Sequence, residues 1–435
     1  MKISKRIVIT GVGTISSLGK SLNNVWINAC EKKIGLKKER FRLDGGEFRS
    51  FFVHKVRSDL LENRTVDVSR LSILSRDHDV YLKGDLNLFL LLVKDAIEDG
   101  ELQYDLDCNN IGLVMTAESP LHGQFYKRVL SFIHHEFNNM KRDYTKNRQV
   151  QNRFFSFFNE FKNLGYDLQT FMNLFYVGKF FSLHGYSLWI NNACASGLYA
   201  LEVAADAIRT NKCSKVIIAA VDTPDIFKLM WFEDKKLNSI DGKIRPFCKE
   251  ANGFVLGEGG AALVLEDYAV AKRRKAKIYA EYVGSSFSMD SWKITYPAVH
   301  KKYYKETMLA AMHTAEIKPS EIDIVVPHGI GNPMVDKFEA NTIASVFSRY
   351  RKRPIVTAFK PYVGHNLGGC TLLEVVMLLL CMKKNIILPI LNSTTFCRND
   401  LEFATGLVKR PIKTALKTCT AFAGFNAAAI FRNLE

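Results

Sequence analysis

The chain has 435 residues, 47% hydrophobic and 24% charged, with a formal charge of +16. That is too long for one small core and too apolar for extensive disorder, and the basic balance favours acidic partners. Nine cysteines occur with no C-x-x-C pair and no His/Cys cluster at metal spacing. They argue against a disulfide framework and against a zinc site, and predict reduced thiols in a cytoplasmic protein.

The N-terminus runs from Met1 to Arg6 straight into a strand, Ile7-Val8-Ile9-Thr10, without the apolar core of a signal peptide. Gly11-Val12-Gly13 and Leu18-Gly19 follow. A dinucleotide fingerprint needs a third glycine, a helix start and an acidic residue further on, so a tight turn is expected here. Leu86–Glu98 has a strong helical pattern closed by Asp99-Gly100, and Ile111–Met115 is a buried strand ending at Thr116-Ala117-Glu118. Residues 120–181 are rich in Phe interleaved with Lys, Arg and Asn, which predicts amphipathic helix. This segment is a helical cap on the core, a lining for an apolar tunnel, a subunit interface, or a combination of these.

Ser187-Leu188-Trp189-Ile190 is a short strand, and Asn191-Asn192-Ala193-Cys194-Ala195-Ser196-Gly197 leads into helical spacing through Ile208. A cysteine on such a turn lies near the unpaired N–H groups and positive end of the helix. Both favour thiolate, so Cys194 suits a nucleophile; the alternative is a small buried residue. Lys215–Val221 is a strand, and the glycine-rich turn Gly253–Gly260 leads into another, Ala262–Leu265. Lys272-Arg273-Arg274-Lys275 is a solvated helix end. Lys277–Val283 is a strand and Lys305–Thr314 a helix. Ile322–Val326 ends at Pro327-His328-Gly329-Ile330-Gly331-Asn332-Pro333, with Asp336 and Glu339 beyond. Ile355-Val356-Thr357 runs into Lys360-Pro361-Tyr362-Val363-Gly364-His365. The apolar stretch Leu372–Leu391 is interrupted by Glu374 and by Lys383-Lys384-Asn385, so no membrane insertion is expected.

An internal repeat organises these elements. Gly197-x-x-x-Leu201-Glu202-Val203 recurs as Gly369-x-x-x-Leu373-Glu374-Val375, and the preceding helix and strand recur with it, at an offset of about 170 to 210 residues. The expected fold is α/β, two pseudo-symmetric stacked halves, each around a mainly parallel sheet. The first half spans 1–266, with the helical Phe-rich cap at about 120–181, and the second spans 267–435. Corresponding strand ends then converge on one site. The repeat places His365 in the loop matching that of Cys194, and His328 at the end of the strand matching Ile111–Met115. A thiolate with two imidazoles is able to do acyl chemistry: the sulfur attacks a thioester, and the imidazoles donate to an oxyanion or enolate.

Ala193-Cys194-Ala195-Ser196-Gly197, His328-Gly329 with Asp336 and Glu339, Lys360-x-x-x-Gly364-His365, and Gly253-Phe254-Val255-Leu256-Gly257-Glu258-Gly259 form a set, in this order. Together they resemble the β-ketoacyl-acyl carrier protein synthases of the Cys-His-His type, thiolase-fold condensing enzymes, over nearly the whole chain. The resemblance implies a cytoplasmic acyltransferase that accepts an acyl chain on Cys194, decarboxylates malonyl-carrier protein and joins the two. It implies catalytic roles for Cys194, His328, His365 and Lys360, with an oxyanion hole from the N–H groups of Cys194 and Phe422, and Phe422 as the gate. It also implies a homodimer or a heterodimer with a homologous subunit, an acidic acyl carrier protein as partner, and neither nucleic acid nor metal. No cofactor is expected on the chain itself, since phosphopantetheine is carried by the partner. Lys235 and Lys236 lie near where the family presents basic carrier contacts.

Three departures from the family pattern stand out. Ile330 and Asn332 replace the threonines that hold the pantetheine arm. The C-terminal loop reads Thr420-Ala421-Phe422-Ala423-Gly424-Phe425-Asn426, bulkier than the family's glycine-rich form. The Phe-rich cap is also long. These changes point to a specialised polyketide or fatty-acyl pathway. They also keep open a chain-length-factor-like partner subunit that does not itself condense. A coenzyme A thiolase would need a second catalytic cysteine in a Cys-x-Gly turn, which Cys419-Thr420-Ala421 matches poorly.

Overall fold

The computed structural model describes residues 5–42, 48–58, 85–102, 110–118, 129, 131 and 169–434. Among the described residues, eleven strands form one sheet. The first half contributes β1 (Ile7–Ile15), β2 (Ile111–Thr116), β3 (Ser187–Ile190), β4 (Lys215–Asp222) and β5 (Gly259–Asp267). The second contributes β6 (Ala280–Met289), β7 (Ile324–Val326), β8 (Ile355–Val356), β9 (Glu402–Phe403), β10 (Thr414–Thr420) and β11 (Phe425–Arg432). Their spatial order is β9-β8-β7-β10-β11-β6-β1-β5-β4-β2-β3. Read outward from the centre, β1-β5-β4-β2-β3 matches β6-β11-β10-β7-β8, so the repeat is a repeat of topology. The halves join where Ile7–Ile9 pairs antiparallel with Tyr282–Ala280.

The ladders are not mainly parallel. β2/β3, β2/β4, β7/β8, β7/β10 and β8/β9 are parallel. β4/β5, β1/β5, β1/β6, β6/β11 and β10/β11 are antiparallel. The reason is connection length. Parallel neighbours require a crossover, whereas only residues 421–424 separate β10 from β11, which permits an antiparallel return.

Among the described residues, helices cover the sheet and fill its interior. Helix α1 (Asp85–Asp99) packs on the first half. Helices α3 (Lys302–Thr314) and α4 (Pro333–Phe347) pack on the second. Helices α2 (Ser196–Arg209) and α5 (Cys370–Lys384) lie between the halves, in one apolar core with strand residues of both. Every residue of α5 from Cys370 to Met382 is buried, which explains why its sequence is apolar on all faces apart from Thr371 and Glu374. Among the described residues no helix is long and apolar enough to cross a membrane.

The repeated glycines set the distance between these layers. A Cβ on Gly197 would lie 2.7 Å from Thr371 Oγ1 and 2.9 Å from the backbone N of Leu372. One on Gly369 would lie 3.0 Å from the carbonyl carbon of Val221. Of the Phe-rich segment, residues 170–181 form a helix whose Met172, Tyr176, Val177 and Phe181 pack in the core of the first half. Most of the segment from 120 to 168 lies outside the described residues.

Candidate active site

The nucleophile turn follows β3. Ala193 adopts a left-handed φ of 50°, which costs a non-glycine residue about 1–2 kcal/mol. Local hydrogen bonds hold it there. Ser196 Oγ accepts from Asn192 N–H at 2.7 Å and donates to the Ala193 carbonyl at 2.6 Å, and Asn191 Oδ1 accepts from Ala193 N–H at 3.2 Å. The turn delivers Cys194 just ahead of α2.

His365 lies in the matching loop ahead of α5, clamped by the glycine-rich turn. Its N–H donates to the Val255 carbonyl at 2.8 Å, and its carbonyl accepts from Gly257 N–H at 3.1 Å. Gly257 allows this approach, because a Cβ there would sit 2.2 Å from the Val363 carbonyl oxygen. His328 follows β7, and two buried carboxylates from α4 pin its loop. Glu339 accepts from His328 N–H at 2.9 Å and Gly329 N–H at 2.7 Å. Asp336 accepts from Ile330, Gly331 and Phe247 N–H groups at 3.1, 3.0 and 2.8 Å.

Residues 171 positions apart thus meet: Cys194 Sγ lies 3.2 Å from His365 Nε2. The two imidazoles stand edge to face, their centroids 5.2 Å apart. Lys360 Nζ lies 3.3 Å from His328 Nδ1 and donates to the His328 carbonyl at 2.6 Å and to Glu374 Oε1 at 2.7 Å. An ammonium has no acceptor, so His328 Nδ1 accepts and the ring proton sits on Nε2. Cys194, His328 and His365 also line one pocket with Ile330, Thr420 and Phe422.

The electrostatics overturn one expectation. Burial pushes the Cys194 thiol well above its ordinary value; Glu118, Cys370 and Cys419 add to this, and Lys360 opposes it. At rest Cys194 is therefore a thiol, because desolvation of a fully enclosed sulfur disfavours its charged form. Burial, then Lys360, holds both imidazoles well below their ordinary value, hence neutral and able to take the thiol proton. Burial would lower the Lys360 ammonium too, but Glu374, together with Cys370 and Cys419, raises it overall.

This environment predicts a labelling order for the described cysteines. Iodoacetamide at neutral pH should modify the partly exposed Cys30 and Cys397 first. An electrophile shaped like an acyl chain, such as cerulenin, should label Cys194, which lines the pocket. Peptide mapping of both reactions checks this, and cerulenin label chiefly on Cys370 or Cys419 would remove Cys194 as the nucleophile.

The remaining expected site residues fall as follows. Ile330 lines the pocket as an apolar wall. Asn332 is 6% exposed, and its Oδ1 caps α4, accepting from Met334 and Val335 N–H at 3.0 and 3.2 Å. The acceptor expected to serve a pantetheine arm is therefore already committed, leaving the Nδ2 donor. Phe422 touches Phe232 and Trp231, with centroids 5.8 and 6.0 Å away, and Phe232 continues through Phe254 to His365 at 5.2 and 5.3 Å. Ala423 beside it takes a φ of 58°, which glycine would adopt without strain. Lys235 is exposed and lies over the Trp231 ring, 5.8 Å from its centroid.

Three neighbours of the site were not assigned to it from sequence. Glu374 is known above only as a repeat position; its counterpart Glu202 pairs elsewhere, with Arg209 at 2.8 Å and Tyr282 OH at 2.7 Å. Lys417 ion-pairs with Glu374 Oε2 at 2.8 Å. Cys419 Sγ lies 3.3 Å from His328 Nδ1. The legible signal for Lys417 was a lysine inside the otherwise uncharged strand Thr414–Thr420. Among the described residues, Cys194, His328 and His365 are also the one group of donors close enough to share an ion, with donor atoms within 4.8 Å of one another. The Lys360 ammonium against His328 opposes a divalent cation there.

Comparison with known proteins gives the family and the fold. The β-ketoacyl synthase N-terminal domain model matches residues 4–271 and the C-terminal domain model matches 279–394. The 3-oxoacyl-[acyl-carrier-protein] synthase 2 of Coxiella burnetii is 25% identical over 438 residues, covering 98% of each chain. A 3-oxoacyl-[acyl-carrier-protein] synthase homolog of Saccharomyces cerevisiae is 25% identical over 454 residues, covering 100% of each. Nodulation protein E of Rhizobium sp. (strain N33) is 28% identical over 262 residues, covering 59% of this chain and 64% of that protein. Among solved structures, a β-ketoacyl synthase from Burkholderia phymatum superposes with a TM-score of 0.80 at 23% identity, over 99% of this chain and 100% of that one. A type II polyketide ketosynthase, solved with its acyl-carrier protein, superposes with a TM-score of 0.79 at 24% identity, over the same shares.

Proposed function

This chain belongs to the β-ketoacyl synthase family, and we propose that it performs decarboxylative Claisen condensation of an acyl-enzyme thioester with malonyl-acyl carrier protein. The observation that carries this reading is Cys194 Sγ set 3.2 Å from a buried, neutral His365 Nε2. In the first half-reaction His365 takes the Cys194 proton as the sulfur attacks the carrier thioester. The N–H groups of Cys194 and Phe422 hold the oxyanion, and the carrier thiolate departs with the proton from His365. In the second, the malonyl carboxylate leaves as carbon dioxide and its electron pair passes to the thioester oxygen. The Nε2–H of His328, with His365 beside it, holds that enolate. Its carbon attacks the acyl group and expels the Cys194 sulfur as thiolate, which takes up one proton from solvent.

The arm of the substrate would be the partner's phosphopantetheine, threading past Ile330 and the free Nδ2 of Asn332. An acidic carrier protein suits the net charge of +16, with Lys235 beside Trp231 and Phe422 at the rim. We place the reaction in the cytoplasm, in a specialised polyketide or fatty-acyl pathway. A homologous subunit, either a second copy or a different chain, would pair along the sheet edge at β3. A non-condensing partner subunit is the weaker reading, because Cys194, His328, His365 and Lys360 are all in place.

The test is the intact mass of the purified protein after incubation with acyl-carrier proteins of varied acyl length. One acyl mass added to the parent and none to Cys194→Ser, followed by 3-oxoacyl product on addition of malonyl-carrier protein, is the expected result. Carrier proteins that bind but never acylate Cys194 would favour the partner-subunit reading.

A further inference from the structure

Resting on the condensation reading, we propose that Lys417 is a positioning residue of the active site: a second buried ammonium that leaves the Lys360–Glu374–Lys417 cluster with a net positive charge behind the two histidines.

The geometry is a clamp with one carboxylate between two ammoniums. Glu374 Oε1 accepts from Lys360 at 2.7 Å, and Oε2 faces Lys417 Nζ at 2.8 Å. Both lysine side chains are 0% exposed and that of Glu374 is 1% exposed. Lys417 also donates to the carbonyls of Pro327 and Thr418, at 3.1 and 2.9 Å. Pro327 immediately precedes His328, so the lysine holds the backbone that aims the imidazole. Lys417 and Cys419 alternate onto the same face of β10, and Cys419 reaches His328 Nδ1.

An enclosed cation that exceeds its ion-pair partners is costly to bury and is not needed for folding; the other carboxyl that feels Lys417, Glu339, is itself pushed up by burial. One Lys–Glu pair alone would leave this region neutral; the second lysine gives it a charge of +1. Decarboxylation creates an enolate of charge −1 beside His328 and His365. A fixed positive charge in a dry interior stabilises that anion without reorganisation. The same charge disfavours protonation of the imidazoles. Lys417 is among the groups that lower both histidines, after burial and Lys360.

Other titratable groups surround the histidines. Cys194, Lys360 and Cys419 touch the rings directly. Glu339 and Asp336 of α4 hold the His328 loop, and Tyr304 of α3 donates to Glu339 at 2.6 Å. Cys370 opens α5, Glu118 faces Cys194, and His54 packs at Gly364. None of these changes in the variants below.

The test compares the parent with Lys417→Met, Lys417→Arg and Lys417→Met/Glu374→Gln. The cluster charge is +1, 0, +1 and +1 respectively. Two quantities are read: the pH dependence of malonyl-carrier decarboxylation, and the imidazole titrations by NMR, which need no turnover. In Lys417→Met the acidic limb and the imidazole titrations should move up by about one pH unit, with kcat down about tenfold and KM unchanged. Lys417→Arg should keep the parent titrations. The double variant leaves Lys360 as the one charge of the cluster, so it restores +1 without Lys417 and reads the charge independently if Lys417→Met fails to fold; its titrations should lie with the parent.

Titrations that ignore the cluster charge, or a double variant that tracks Lys417→Met, would make Lys417 a structural residue only. Absence of decarboxylation in the parent would instead overturn the condensation reading, while the NMR comparison would still decide the role of Lys417.

Discussion

Cys194→Gln should abolish condensation and leave malonyl-carrier decarboxylation measurable. The two half-reactions use different groups, and the structure separates them. Acyl transfer needs the Cys194 sulfur with His365 Nε2 3.2 Å away to take its proton. Carbon dioxide loss needs a donor for the enolate oxygen, and His328 supplies it. The Lys360 contact to Nδ1 puts the ring proton on Nε2, and Glu339 and Lys360 hold its backbone. Glutamine removes the nucleophile and leaves that apparatus alone. His328→Ala should lose decarboxylation as well, by about 10²–10³-fold, the usual cost of one preorganised oxyanion donor. Carbon dioxide release from malonyl-carrier protein, measured alongside product formation, tests both variants. Parent-like decarboxylation in His328→Ala would show that another group holds the enolate.

The second large effect is structural and reaches the same site. Gly197→Val should lower thermal stability and reduce condensation about a hundredfold. The new Cβ would start 2.7 Å from Thr371 Oγ1 and 2.9 Å from Leu372 N, and the latter is backbone of α5 that no rotamer change can clear. Overpacking of this kind costs about 1–3 kcal/mol. Relief requires α2 and α5 to move apart, and these helices begin beside Cys194 and His365. A shift of about 1 Å between reacting groups is enough for a hundredfold loss. Gly406→Ala is the control, since a Cβ there meets nothing within 4 Å. Thermal melts and condensation rates of the three proteins check the argument. A Gly197→Val protein with parent activity would mean that this helix contact does not set the Cys194–His365 distance.

Local pattern and the repeat were enough to single out Cys194, His328 and His365, while Lys360 came from the family resemblance. Glycines at 197 and 369, each opening a helix after a strand, carried the symmetry that put a cysteine and a histidine in matching loops. These signals are legible because tight turns, close helix approach and strand-to-helix junctions each demand particular residues within a few positions. The strand directions were not legible: β10 returns antiparallel as β11, a choice made by pairing across the sheet.

The protonation of Cys194 was likewise decided by tertiary structure. A helix start argues for thiolate, but complete burial argues more strongly for thiol, and burial is a property of the whole fold. Asn332 looked like a contact for the substrate arm, yet its oxygen is spent on the first turn of α4. Lys417, Glu374 and Cys419 joined the site from β10 and α5, and no spacing along the chain announces that two lysines 57 positions apart will share one carboxylate. Residue type and local spacing determine what chemistry a side chain is able to do. Its charge state and its partners depend on how much water the rest of the chain removes and which distant groups the sheet brings opposite it.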